Sequence, residues 1–94
     1  MLDKQVSLYE AILLLKTPEE CEGFLKDLLT PREQRTIQDR WKVCQMLSTK
    51  HLTYQHIGEI TKISLQTIVR VARVLRTEPN KGYKLILNRI KQKE

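Results

Sequence analysis

The residues that most constrain the fold of this chain are 52–76, where two helical patterns flank a connection of about three residues. Ile57 and Ile60 are three residues apart and predict the buried face of a first helix, which Thr53 can cap. Ser64 can cap a longer second helix. The apolar residues of this second helix recur at helical spacing: Leu65, Ile68, Val69, Ala72 and Leu75.

Two helices joined by so short a turn form either a DNA-binding helix-turn-helix or an αα-hairpin packed only for stability. Gly58 lies inside the first helix, where glycine costs about 1 kcal/mol relative to alanine. We therefore predict that the two helices cross too closely for a β-carbon at this position. Lys62 stands in the turn where glycine is common, so the turn departs from the usual pattern.

The distribution of charge favours DNA over simple helix packing. The net charge of the 94 residues is +6. Residues 1–29 carry three Lys/Arg and six acids, whereas residues 30–94 carry fourteen Lys/Arg and five acids. A basic C-terminal two thirds indicates a polyanionic partner, and double-stranded DNA fits the motif. The small core expected of one domain of this length also suggests a homodimer.

Other classes of protein have little support in the sequence. Cys21 and Cys44 lack the spacing of a zinc site and predict free thiols in a reducing cytoplasm. The longest apolar run, residues 11–15, is too short to span a membrane, and no signal peptide is recognisable. We find no Gly-rich phosphate loop and no nucleophile with an evident base. We therefore expect a cytoplasmic protein that is not an enzyme and needs no metal or cofactor.

Helical patterns fill nearly the whole chain, and they predict an all-α fold of six helices without a sheet. The first pattern covers residues 4–16, with an apolar face that we expect to pack against a partner subunit: Leu8, Ala11, Ile12, Leu14 and Leu15. Thr17-Pro18 and Thr30-Pro31 are start signals for helices that end near Leu28 and Ser48. The expected organisation is a dimerisation core (1–50), a helix-turn-helix (52–76), and a C-terminal helix with a basic tail (81–94).

Apolar periodicity also predicts which residues build the core. The third helix has an inner face consisting of Ile37, Trp41, Cys44 and Leu47, with Val43 and Met46 beside it. Trp41 is interpreted as a core anchor rather than a binding platform. The last helix should pack through Tyr83, Ile86, Leu87 and Ile90, and should fray in the tail at residues 91–93.

In a helix-turn-helix, the N-terminal residues of the second helix meet base edges in the major groove. The candidate residues here are Ser64, Leu65, Gln66 and Val69. Gln66 is the strongest candidate, because its amide can pair with adenine N6 and N7. Leu65 and Val69 could contact thymine methyl groups or could belong to the core. Arg73 and Arg76 are candidate phosphate contacts. Thr53 and Gln55 lie where the first helix would cross the DNA backbone.

Several of these segments resemble the tryptophan operon repressor family. The resemblance lies in residues 28–33 (LLTPRE), in Arg40 and in residues 67–70 (TIVR), in order and without gaps. Residues 82–87 (GYKLIL) look more like the YerC/YecD branch of that family. The resemblance covers residues 24–90 and implies an intertwined, all-helical homodimer that binds DNA through two helix-turn-helix heads.

The resemblance also implies a possible effector pocket. The residues that hold tryptophan in the tryptophan repressor would correspond here to Thr30, Arg40, Thr67 and Arg70. Two further positions differ, because Val71 and Val74 replace a glycine and a serine. We expect these valines to fill the space of the indole ring, since protein interiors have few voids larger than a water molecule.

The sequence therefore predicts a transcriptional regulator, most simply a repressor, that binds its operator as a homodimer without tryptophan. The alternatives are a repressor that depends on tryptophan or another small effector, and a helical protein-interaction module with an incidental basic face.

Overall fold

The computed structural model describes residues 5–49, 51–77 and 79–93. These residues form six helices and no strand, which confirms the predicted all-α fold. The helices are α1 (Leu8–Leu13), α2 (Pro18–Leu28), α3 (Pro31–Thr49), α4 (Tyr54–Thr61), α5 (Leu65–Thr77) and α6 (Gly82–Lys93). The chain divides into two compact units, residues 1–34 and 35–94. Within the described ranges, no helix is long and apolar enough to cross a membrane.

Helix α1 is shorter than the predicted helix over residues 4–16, whose first residue lies outside the described ranges. It begins at a capping box, in which Ser7 and Glu10 exchange hydrogen bonds of 3.0 and 3.1 Å. It ends at Leu13, and Thr17 is extended (φ −134°, ψ 157°) before Pro18. The prediction extended the helix too far because it followed the apolar residues alone.

The predicted starts of α2 and α3 are confirmed in atomic detail. Thr17 Oγ1 accepts a hydrogen bond from the Glu20 N–H at 3.1 Å. Thr30 and Glu33 form a full capping box: Thr30 Oγ1 accepts from the Glu33 N–H at 3.1 Å, and Glu33 Oε1 accepts from the Thr30 N–H at 2.9 Å. Proline follows each threonine as the first helical residue, where its missing N–H carries no penalty.

The first unit exposes a large apolar surface. No residue of α1 or α2 is buried in this chain. Leu13 and Leu14 are 83% and 70% exposed, and Leu8 and Ile12 are exposed as well. Single exposed leucines are ordinary, but these four exposed large apolar side chains lie within seven residues, which is more than a lone surface helix usually carries.

The core of the second unit is a cluster of fully buried side chains: Val43, Cys44, Ile57, Ile68 and Val71. It therefore joins α3 to both helices of the helix-turn-helix. Trp41 is half-buried at the edge of this cluster, and its ring centroid lies 6.4 Å from that of Tyr83 on α6. This places Trp41 in the hydrophobic core, as predicted.

Five predictions about packing or helix ends are wrong for the single chain, and the first is the packing of α6 through Ile86 and Ile90, which are exposed. Ile60 was expected on the buried face of α4, yet it is 57% exposed, because α4 packs on the core through Ile57 and Tyr54. Ile37 is exposed, since the core begins further along α3. A β-carbon on Gly58 would lie 3.5 Å from the Ile63 carbonyl oxygen, which is an ordinary contact rather than a clash. Helix α6 continues to Lys93 instead of fraying, since lysines suit the negative end of a helix dipole.

Candidate nucleic-acid interface

Side-chain and main-chain hydrogen bonds fix the turn between α4 and α5. Thr61 Oγ1 donates to the Ile57 carbonyl at 2.7 Å and accepts from the Ile63 N–H at 3.1 Å. The Lys62 N–H donates to the Gly58 carbonyl at 2.8 Å. Lys62 itself has left-handed backbone angles (φ 64°, ψ 15°) and ends α4. Residues 62–64 thus form a connection of the expected length, one position later than the predicted residues 61–63.

Both predicted caps of the helix-turn-helix are present. Thr53 Oγ1 accepts from the His56 N–H at 3.0 Å, at the start of α4. Ser64 Oγ accepts from the Thr67 N–H at 3.2 Å and donates to Thr67 Oγ1 at 3.0 Å. Each bond satisfies a backbone donor that a helix start leaves free. The first turn of α5 is therefore held firmly by its own side chains.

Helix α5 is anchored along one face and open along the other. Ile68, Val71 and Ala72 are buried, so this face packs against the core of the second unit. Leu65 is 60% exposed and Val69 is 44% exposed, although both fit the apolar periodicity of the helix. The exposed face is available to a partner, and Leu65 and Val69 are not core residues of the single chain.

An open groove lies along this exposed face and has a volume of about 720 Å³. Its lining combines predicted base-reading residues with predicted effector-pocket residues: Arg40, Leu65, Gln66, Thr67, Val69, Arg70 and Arg73. Three of the lining residues are arginines, and none of the described lining residues is acidic. Such a surface suits a phosphate-bearing partner, since guanidinium groups bind phosphate oxygens well.

The remaining predicted pocket residues lie elsewhere. Val71 belongs to the fully buried core and does not line the groove. Val74 lines a separate apolar groove of about 550 Å³ together with Trp41 and Tyr83. Thr30 is exposed and caps α3. The second unit therefore brings Arg40, Thr67 and Arg70 to one groove, and neither Val71 nor Val74 is among the residues that line it.

The residues predicted to meet the DNA backbone are exposed, and one of them has an additional contact. Among them are Thr53, Gln55 and Arg73; Ser64, which was predicted to meet base edges, is exposed as well. The guanidinium carbon of Arg76 lies 5.8 Å from the centre of the Tyr54 ring, a cation–π contact between the end of α5 and the start of α4. Arg76 therefore braces the two helices, a contact that periodicity could not reveal.

The pKa values of the titratable groups at the core indicate that these groups have a structural role rather than a chemical one. Burial raises the pKa of the Cys44 thiol to about 11, so this thiol stays protonated and unreactive near neutral pH. Burial also raises the pKa of Tyr83; the nearby Cys44 raises it further, while the positive charges of Arg40 and Arg70 lower it. Among the described residues, no group of three His, Cys, Asp or Glu side chains could hold a metal ion.

Sequence reasoning did not anticipate two features of the site. Lys62 was noted only as a departure from the glycine pattern, whereas the structure gives it a left-handed backbone. The pairing of Tyr54 with Arg76 spans 22 positions of sequence, and only the crossing of α4 and α5 brings these residues together. For Lys62, the sequence signal was a basic residue at a turn position where glycine is common. The sequence contained no signal for the contact between Tyr54 and Arg76.

The fold and this site define an all-helical protein with a helix-turn-helix, and comparison with known proteins gives its family. The family model described as "Trp repressor protein" matches residues 4–91. This chain belongs to that family.

Individual relatives agree with this assignment. The chain is 39% identical over 87 residues to the uncharacterized protein YerC of Bacillus subtilis (strain 168), a match that covers 93% of this chain and 82% of YerC. Two crystal structures share the fold. A candidate Trp repressor from Staphylococcus aureus has a TM-score of 0.81 and 37% identity, and covers 89% of this chain and 82% of its own. A TrpR-like protein from Eubacterium eligens ATCC 27750 has a TM-score of 0.80 and 38% identity, and covers 89% and 84%.

Proposed function

We propose that this protein is a cytoplasmic, sequence-specific DNA-binding regulator that represses transcription by occupying an operator as a homodimer, without tryptophan. The observation that carries the proposal is the groove along α5, where candidate base-reading residues and three arginines share one exposed surface. Membership of the Trp repressor family supports the same function.

The residues proposed to contact the bases lie in the first two turns of α5. Gln66 is exposed and lines the groove, so its amide is free to pair with the N6 and N7 atoms of adenine. Leu65 and Val69 are exposed beside it and suit the methyl group of thymine. Arg70 and Arg73 line the same groove and supply positive charge to adjacent phosphates. Ser64 holds the start of the helix in place through its bonds to Thr67.

Dimer formation is supported by the apolar side chains that the single chain leaves exposed. They occur in and directly after α1 (Leu8, Ile12, Leu13, Leu14) and in α6 (Leu85, Ile86, Ile90). A domain of 94 residues that leaves so much apolar surface in water gains stability by pairing with a second copy. Two copies would also present two α5 helices to successive major grooves.

Independence from tryptophan is supported by Val71. Its side chain is fully buried in the core with Val43, Ile57 and Ile68, where it occupies the space between α5 and its neighbours. The resemblance to the tryptophan operon repressor family implies that this is the position of the glycine that makes room for the indole ring. We propose that the valine fixes the α5 helix permanently, as the bound ligand does in the tryptophan repressor.

The proposal is tested by selecting bound sequences from a pool of random DNA duplexes with the purified protein. We expect a consensus with two-fold symmetry and half-site centres separated by about one helical turn, or 34–36 Å. An α5 triple variant (Gln66→Ala, Arg70→Ala, Arg73→Ala) is the control and should recover no consensus. Recovery of unenriched sequence by the unmodified protein would contradict DNA recognition and favour a protein-interaction module.

A second candidate function is repression that depends on a small effector. Arg40, Thr67 and Arg70 line one groove. They are three of the four residues that the resemblance to the family assigns to tryptophan. An increase in operator affinity on addition of L-tryptophan would favour this candidate.

A further inference from the structure

The turn of the helix-turn-helix contains a lysine whose backbone conformation suits glycine better. Lys62 has φ 64°, a region in which the β-carbon of an L-residue approaches the backbone too closely. Lys81, between α5 and α6, has φ 60°. Within the described ranges, these two lysines are the non-glycine residues with positive φ. Strained positions of this kind are retained more often where the side chain has a function.

The fold requires the backbone conformation of Lys62, but it does not require the lysine side chain. The Lys62 N–H closes α4 by donating to the Gly58 carbonyl at 2.8 Å, which is the left-handed helix ending that glycine usually provides. Glycine would make this bond without strain. A positive charge at the end of α4 does stabilise the helix dipole, but only weakly at an exposed position.

The ammonium group of Lys62 is exposed and has no carboxylate partner within the described ranges. Elsewhere, Lys26 forms an ion pair with Glu22, and His56 Nδ1 lies 3.8 Å from Glu59 Oε1; neither contact involves Lys62. Lys62 therefore supplies a positive charge that the folded chain does not use internally.

The position of Lys62 in the motif determines what this charge can reach. It lies three residues before Leu65, the first residue of α5 and a proposed base contact. Three residues of chain span at most about 10 Å, and the major groove is about 12 Å wide. A flexible lysine at this distance from a base contact can reach the phosphates that border the groove.

We propose that Lys62 is a phosphate contact of the helix-turn-helix, so that the turn binds the DNA backbone at the cost of a strained residue. The inference rests on the proposed function, and its ligand is the phosphodiester backbone of duplex DNA. It predicts an unusual pair of effects for Lys62→Gly, which should make the fold more stable and the DNA complex weaker.

The test measures the affinity of each variant for the selected duplex by fluorescence anisotropy between 50 and 200 mM salt. Lys62→Gly should flatten the dependence of log K on log salt by about 0.9 per recognition head. Between 50 and 200 mM salt, the factor by which Lys62→Gly weakens DNA binding should therefore decrease by about 3.5-fold per recognition head. Lys62→Arg keeps the charge and should keep the slope. Lys81→Gly is the matched control, because it relieves the same strain and removes the same charge away from the turn.

Thermal unfolding at equal protein concentration completes the test. Both glycine variants should unfold a few degrees higher than the unmodified protein, which also shows that they fold. The inference is overturned if Lys62→Gly keeps the full salt slope, or if Lys81→Gly flattens it equally. Failure of the unmodified protein to bind any duplex would instead overturn the proposed function.

Discussion

Replacement of Val71 by alanine tests whether this residue is a structural substitute for a ligand. Its side chain is fully buried. The substitution removes two buried methyl groups, worth about 1.6 kcal/mol, and leaves a cavity that adds a further penalty. The better helix propensity of alanine offsets about 0.6 kcal/mol of this loss. The expected loss is about 2–3 kcal/mol of the free energy of unfolding, and Val71→Gly should lose about 1 kcal/mol more.

The matched control is Val69→Ala, the same substitution two residues earlier on α5. Val69 is 44% exposed, so its loss of burial is roughly halved and the gain in helix propensity nearly offsets it. Urea titrations at equal protein concentration should therefore separate the two variants by about 2 kcal/mol. Equal losses at both positions would refute the assignment of Val71 to the core.

The same titrations, repeated with L-tryptophan, test the absence of a ligand site. A site of micromolar affinity would stabilise the protein by about 4 kcal/mol at about 1 mM ligand. We expect no stabilisation of the unmodified protein. Val71→Gly combined with Val74→Ser should instead gain measurable stability from L-tryptophan. Stabilisation of the unmodified protein would refute the reasoning and return it to the ligand-dependent class.

Four further predictions use other parts of the structure. Gly58→Ala should raise the unfolding free energy by about 1 kcal/mol in urea titrations, because its β-carbon makes only ordinary contacts; a loss of stability would contradict this. Gln66→Ala should weaken operator binding by about 1–3 kcal/mol and relax one base pair per half-site, whereas Arg73→Ala should weaken all duplexes alike in anisotropy titrations. An unchanged selected consensus would exclude Gln66 as a reader. The unfolding temperature should rise with protein concentration, and a folded monomer at micromolar concentration by sedimentation would exclude the dimer. Burial raises the Cys44 pKa from 9.0 to about 11, so the folded state favours the protonated thiol. The contribution of this thiol to the free energy of unfolding is therefore complete below pH 9 and is lost as pH rises through 11. This loss is about 3 kcal/mol, and Cys44→Ala should lack it in reducing buffer.

Local signals in the sequence predicted most of the fold. The Thr-Pro pairs at residues 17–18 and 30–31 determine the starts of α2 and α3 through side-chain caps that act within one turn. The caps at Thr53 and Ser64 likewise defined the helix-turn-helix. Such interactions depend on residues three positions apart, so they can be read without knowledge of the tertiary structure.

The wrong predictions concern side chains whose burial depends on tertiary packing. Periodicity could not show that Ile57 is buried while Ile60 faces water, because both lie on the apolar side of a short helix. It also could not show that Val71 enters the core, since the apolar stripe of α5 was assigned through Leu65 and Val69, which are exposed. Whether a second subunit covers these exposed residues is a property of the assembly, which the single chain does not determine.

The merging of two predicted sites into one groove was equally beyond the sequence. Arg40 belongs to α3 and lies 25 positions before Leu65, so only the packing of α3 against α5 brings them to one surface. The sequence had divided these residues between an effector pocket and a DNA surface. Their common surface makes phosphate the simplest ligand for all three arginines.

The most direct test of the account compares the affinity of the purified protein for its selected duplex and for a shuffled duplex of the same composition. The comparison is made at physiological salt, without and with L-tryptophan. The account predicts a preference of at least about a thousandfold for the selected duplex, as is typical of specific recognition, and the same affinities when tryptophan is added. Equal affinity for both duplexes, or a preference that emerges only with tryptophan, would contradict it.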